Sequence, residues 1–118
     1  MEMSKERIRH ELAGFQATGQ LYRYPYFNFI YTDGIKLMAE LCKADWLVTD
    51  SAIQAMDLMN QSAFVTIDLL KEGDTAKIDY SDGNGNILHR QGYSFTDFPL
   101  ETFRMYFVNN TLLLPSEY

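Results

Sequence analysis

The side chains that could carry acid–base chemistry are Asp33, Asp50, Asp97 and His89. Proton transfer needs carboxylates or an imidazole gathered in one pocket with shifted pKa values. Each of the three aspartates follows a threonine, in Thr32-Asp33-Gly34, Thr49-Asp50 and Thr96-Asp97-Phe98-Pro99. Thr and Asp in such places accept hydrogen bonds from the unpaired N–H groups of a helix start, and Asp complements the helix dipole. Capping therefore accounts for all three before catalysis is invoked. A small enzyme with an acidic pocket at helix N-termini, using Asp33, Asp97 or His89, stands as an alternative reading. The chain has no Gly-x-Ser-x-Gly elbow, phosphate loop or dinucleotide fingerprint. No catalytic residue and no cofactor are assigned.

Metal chemistry has one candidate. Asp82-Gly83-Asn84-Gly85-Asn86 starts like a calcium loop, which gathers hard oxygens around the ion. Counted from Asp82, however, the EF-hand glycine position holds Ile87 and the bidentate acid position holds Tyr93. The same residues tolerate positive φ and read as a hairpin turn. His10 and His89 have no zinc-ligand spacing to one another or to Cys42, so no metal site is assigned. Cys42 falls on the apolar face of its helix and reads as packing.

Binding chemistry is concentrated between Leu21 and Tyr31. Tyr22, Tyr24, Tyr26, Phe27, Phe29 and Tyr31 crowd around Arg23, and Pro25 interrupts any continuous strand. The expectation is an extended arm with edge-strand pairing. Exposed Tyr and Arg dominate protein interfaces. Rings can also stack on bases, but one Arg gives a phosphate little to hold. Tyr22, Arg23, Tyr24, Tyr26 and Phe27 are the interface candidates. Tyr118 joins them because a terminal carboxylate can be captured by a partner's backbone.

These residues need elements to position them. Ser4 is the expected N-cap of a first helix carrying Ile8, Leu12 and Phe15, with Gly14 and Gly19 near its end. The Thr-Asp pairs predict helices after residues 32, 49 and 96, with Trp46-Leu47 extending the second of these backward. Pro99 suits a first helical turn, and Leu100, Phe103 and Phe107 follow it. Phe64 to Leu69, Ala76 to Tyr80 and Ile87 to Tyr93 alternate as strands around turns at Glu72-Gly73-Asp74 and Ser81–Asn86. Thr111 to Leu114 adds a short strand before Pro115. The predicted fold is α+β: a single domain over 1–118, with about four helices packed on one face of a three- to four-stranded antiparallel meander.

Composition bounds the rest. The 118 residues carry a net charge of −6, which repels nucleic-acid phosphate and anionic lipid. One cysteine excludes an internal disulfide and fits a reducing compartment. No apolar run approaches a membrane span, and the start of the chain lacks a secretory signal. A cytoplasmic location is expected, with no membrane partner. No signal fixes the oligomeric state.

Tyr31-Thr32-Asp33-Gly34, Trp46-Leu47, Asp82 to Asn86, Thr96 to Leu100 and Leu112 to Tyr118 together resemble an uncharacterised bacterial domain-of-unknown-function family. Some of its members sit on phage or other mobile elements. The resemblance covers most of the chain from about Leu21 onward and implies that Tyr118 is the natural C-terminus. It supplies no activity and no site residues. It does suggest a mobile-element-encoded inhibitor of a bacterial defence complex, such as a CRISPR effector. The leading expectation is a small non-enzymatic protein-binding module. The alternatives are the acidic-pocket enzyme and a single-stranded nucleic-acid binder using the aromatic arm.

Overall fold

A computed structural model of the chain describes residues 4–16 and 18–118. Among them the chain forms three helices, α1 (Lys5–Ala13), α2 (Asp33–Cys42) and α3 (Asp45–Asp57). Seven strands complete it: β1 (Leu21–Arg23), β2 (Ile30–Thr32), β3 (Phe64–Glu72), β4 (Thr75–Ser81), β5 (Ile87–Tyr93), β6 (Thr102–Val108) and β7 (Thr111–Leu113). All seven strands join one sheet in the order β1-β2-β7-β6-β3-β4-β5. Its β2–β7 pair is parallel, and its other pairs are antiparallel.

This corrects the expected fold. The meander β3-β4-β5 is present, but it is less than half of a seven-stranded mixed sheet, and there are three helices instead of four. The error is centred on residues 102–108. Phe103 and Phe107 lie four apart, a spacing that fits a helix face and equally one face of a strand. Met105 between them is buried, whereas Arg104 is exposed, so the true period is two. Nor does Thr96 start a helix. Its hydroxyl accepts from the Phe98 N–H at 3.1 Å, a local turn.

The other elements follow their sequence signals more closely. Ser4 caps α1 by accepting from the Arg7 N–H at 3.2 Å. Thr32 caps α2 through the Ile35 N–H. α3 starts at Asp45, before Trp46, with no side-chain cap. Thr49 sits inside that helix, and its hydroxyl donates to the Asp45 carbonyl at 3.1 Å. The β4–β5 turn is held by Asp82, whose carboxylate accepts from the N–H groups of Asn84 and Asn86 at 2.8 and 3.0 Å.

One hydrophobic cluster joins the helices to the sheet. Ile8, Ile35, Met38, Leu47 and Ala52 meet Val65, Ile67, Ile78, Met105, Phe107 and Leu112 there. Each of these side chains larger than alanine stabilises the fold by roughly 1.5–3 kcal/mol when fully buried. On the reverse face of the sheet, Asp68 pairs with Arg104 at 2.6 Å and Asp79 with Arg90 at 2.6 Å. Asp68 and Asp79 stand opposite each other in the β3–β4 register. Their like charges would repel there, and the flanking arginines neutralise them.

Candidate interaction surface

The arm is a hairpin whose rings divide between core and solvent. β1 and β2 pair through Leu21 with Thr32, Tyr22 with Tyr31 and Arg23 with Ile30. The loop between them is closed by the Tyr24 N–H donating to the Phe29 carbonyl at 3.0 Å and the Phe29 N–H donating to the Phe27 carbonyl at 2.9 Å. Arg23 donates to the Asn28 amide oxygen at 3.0 Å, and Asn110 donates to the Asn28 carbonyl at 2.6 Å. The loop is thus tied at both shoulders.

Phe29 is fully buried. Tyr24 stacks on it with centroids 5.1 Å apart and planes 12° apart, and its hydroxyl meets that of Thr49 at 3.4 Å. Tyr22 stacks on Tyr31 at 5.5 Å, with the Lys36 ammonium 5.1 Å from the Tyr22 centroid. Burial pushes the Tyr31 hydroxyl pKa up. Tyr22 and Tyr24 are therefore half-buried supports. Tyr26 and Phe27 form the tip, 84% and 40% exposed, and Arg23 is exposed beside them.

β1 is an edge strand. Hydrogen-bonded pairs alternate along an antiparallel ladder, so Tyr22 and Tyr31 continue the pattern set by Tyr24 and Phe29. The main-chain groups of Leu21 and Arg23 then face away from β2. An outward row of this kind is a template for another strand.

Tyr118 stands elsewhere. It packs edge-on against Phe64 and Tyr106, at 5.2 and 5.7 Å, on the face of β3 and β6 away from the helices. It is 68% exposed. Its place is set by Glu117, whose carboxylate accepts from the Thr32 hydroxyl at 2.6 Å, the Gly34 N–H at 3.1 Å and the Leu114 N–H at 2.9 Å. Two segments far apart in the chain, Thr32-Asp33-Gly34 and the Leu114–Tyr118 tail, thus form one clamp. A Cβ on Gly34 would lie 2.5 Å from the Glu117 carboxylate.

Of the acids considered for catalysis, Asp50 and Asp97 both lie about Tyr93, whereas Asp33 is bonded to Thr18 at the start of α2. Asp33 accepts from the Thr18 N–H at 2.9 Å and from the Thr18 hydroxyl. Those bonds hold its carboxyl below the usual range. Asp50 accepts from the Tyr93 hydroxyl at 3.0 Å. Asp97 lines a recess with Trp46, Tyr93, Phe95 and Thr96. The His89 ring lies 5.8 Å from that of Tyr80. Cys42 is buried, and burial pushes its thiol up to about 12, which keeps it from acting as a nucleophile.

Two features escaped the sequence reading. The parallel β2–β7 pair places the arm beside Asn109 and Asn110, whose φ values of 52° and 57° build the β6–β7 turn. That Asn-Asn pair is a hairpin signal, and weighing it would have exposed β6. The Trp46–Phe95 recess carries no local signal, because its walls come from α3 and from the segment around the end of β5. No helix among the described residues is long and apolar enough to cross a membrane.

The family model described as "Family of unknown function (DUF6876)" matches residues 6–118, and the chain belongs to that family. No curated protein and no solved structure matches it.

Proposed function

We propose that this member of a family of unknown function is a non-enzymatic protein-binding module that docks through the tip and open edge of its β1–β2 arm. The observation that carries the reading is Tyr26 standing in solvent, with Phe27 partly exposed beside it, on a loop braced by Arg23, Asn28 and Asn110. Rigid exposed rings lose little side-chain entropy on binding and supply large contact area. The adjacent outward main chain of Leu21 and Arg23 suits an extended segment of a partner protein, added as a further strand. Arg23 favours an acidic residue on that segment. Blocking a bacterial defence complex, such as a CRISPR effector, is the most specific form of this role. The net charge of −6 weighs against a nucleic-acid backbone as the occupant.

Affinity capture from a bacterial lysate, with and without nuclease, tests the reading when the wild type is run beside the Tyr26→Ala/Phe27→Ala variant. A stoichiometric protein that survives nuclease and is lost from the variant supports it. Capture of the same protein by both forms removes the arm from the role. A partner lost with nuclease moves the weight to nucleic acid.

A further inference from the structure

A recess of about 280 Å³ opens beside the first turn of α3, lined by Trp46, Tyr93, Phe95, Thr96 and Asp97. Three of these five residues are aromatic and one is a carboxylate. Trp46 and Tyr93 meet edge-on, with centroids 5.4 Å apart and planes at 64°, so two walls form a corner. Phe95 is 69% exposed, a third ring held largely in solvent. No lysine or arginine lines the recess.

Two of the aromatic walls are fixed before any ligand arrives. Tyr93 is anchored by its hydroxyl donating to Asp50 at 3.0 Å. Burial and the Asp50 charge both hold that phenol in its neutral, donating form. Trp46 rests edge-on against the fully buried Phe98, at 6.4 Å and 85°. The floor is pinned by the Thr96 N–H donating to the Asp74 carbonyl at 2.7 Å and by the Lys71 ammonium donating to the Phe98 carbonyl at 2.7 Å. A preformed site avoids the cost of ordering its walls on binding.

The chemistry of the walls selects the ligand. Aromatic faces are electron-rich and attract a cation placed over them. Asp97 adds a full negative charge. A bare ammonium is strongly hydrated, and giving up that water opposes its entry. A methylated ammonium keeps the positive charge, needs few hydrogen bonds and presents methyl groups that fit against rings. An anion would meet Asp97, and a neutral apolar ligand would forgo the charge attraction. The geometry points to a binding site for a methylated ammonium group, such as that of choline or of a trimethylated lysine side chain.

Trp46 is the single tryptophan of the chain, so its fluorescence reads this site directly. The probes are tetramethylammonium, choline, trimethyl-lysine amide and 3,3-dimethylbutan-1-ol, an uncharged isostere of choline, all at constant ionic strength. The expected result is a saturable change with the three cations, and choline binding about ten-fold more tightly than its isostere. Phe95→Ala and Asp97→Asn should each weaken choline by about three-fold or more. Both side chains are exposed, so both variants should fold, which the melting curve checks. Tighter binding of choline or of trimethyl-lysine amide identifies the source of the group, and either supports the class. No change at about 50 mM tetramethylammonium, or equal binding of the isostere, overturns the assignment.

Discussion

At the start of α2, Thr32, Asp33 and Glu117 have the residue types of a polar active site, yet their hydrogen-bonding capacity is committed to structure. Thr32 receives the Ile35 N–H and gives its own proton to Glu117. Glu117 also takes the N–H groups of Gly34 and Leu114, and Asp33 takes Thr18. At the tip of the arm the situation reverses. Tyr26 and Phe27 have the residue types of a core, yet Tyr26 stands in solvent and Phe27 is partly exposed beside Tyr24. The contrast teaches that a chemically suggestive residue is judged by its partners. Orphan N–H groups at a helix start must be satisfied, and here a distant carboxylate does so. The Tyr26 ring, left exposed on a braced loop, has no comparable structural duty.

The clamp side of this comparison breaks most visibly with Glu117→Ala. That change strips partners from the Gly34 and Leu114 N–H groups and should cost about 2–4 kcal/mol in urea unfolding. Gly34→Ala, which pushes a methyl against Glu117 and Leu114, should cost about 1–3 kcal/mol. A loss well under 1 kcal/mol in both would mean that the clamp is not what holds the tail.

The arm side is sharpened by separating its supports from its tip. Tyr24→Ala removes a half-buried ring stacked on Phe29 and should lower stability by about 1–3 kcal/mol. Tyr26→Ala/Phe27→Ala should cost less than Tyr24→Ala, about 0.5–1 kcal/mol because Phe27 touches Tyr24, while weakening partner binding by about ten-fold or more. If the tip variant unfolds as readily as Tyr24→Ala, the two exposed rings are structural after all.

pH titration gives smaller effects on both sides. Hydrogen bonds from Thr18 depress the folded-state pKa of Asp33, and bonds from Asn86 and Asn84 depress that of Asp82. Their contributions are present above the unfolded carboxyl value, near 3.9, and disappear as the pH falls through the lower folded values. Melting temperature should thus decline gently below about pH 4. At the alkaline end the sign is opposite. The Cys42 thiol is raised to about 12, so its contribution is complete below the unfolded thiol pKa and lost as the pH rises toward 12. At pH 8.5, about the unfolded thiol value, iodoacetamide should label Cys42 only after denaturation. Rapid labelling of the folded chain would contradict its burial.

Part of the fold could be read from local signals. Alternation in Phe64–Leu69 and the Asp82–Asn86 turn identify the β3-β4-β5 meander, and Thr32 marks the start of α2. The failures have physical causes. Phe103 and Phe107 satisfy two periodicities at once, and only the burial of Met105 separates them. The Thr96-Asp97-Phe98-Pro99 segment imitates a helix start because a capping hydroxyl and a turn hydroxyl accept similar backbone bonds. Pairing of β2 with β7 depends on residues at opposite ends of the chain, and so does the Glu117 clamp. Ring density in Leu21–Tyr31 was legible. Which rings face inward was not, because the tight loop after Pro25 turns Tyr24 and Phe29 onto the core and leaves Tyr26 outside.

Amide hydrogen exchange, measured with and without the partner recovered by affinity capture, tests the central claim most directly. Binding at the arm predicts slower exchange at Leu21 and Arg23, whose N–H groups face away from β2, with Gly34 and Leu114 unchanged because Glu117 already holds them. Protection elsewhere on the molecule, with Leu21 and Arg23 exchanging at their free rates, would contradict it.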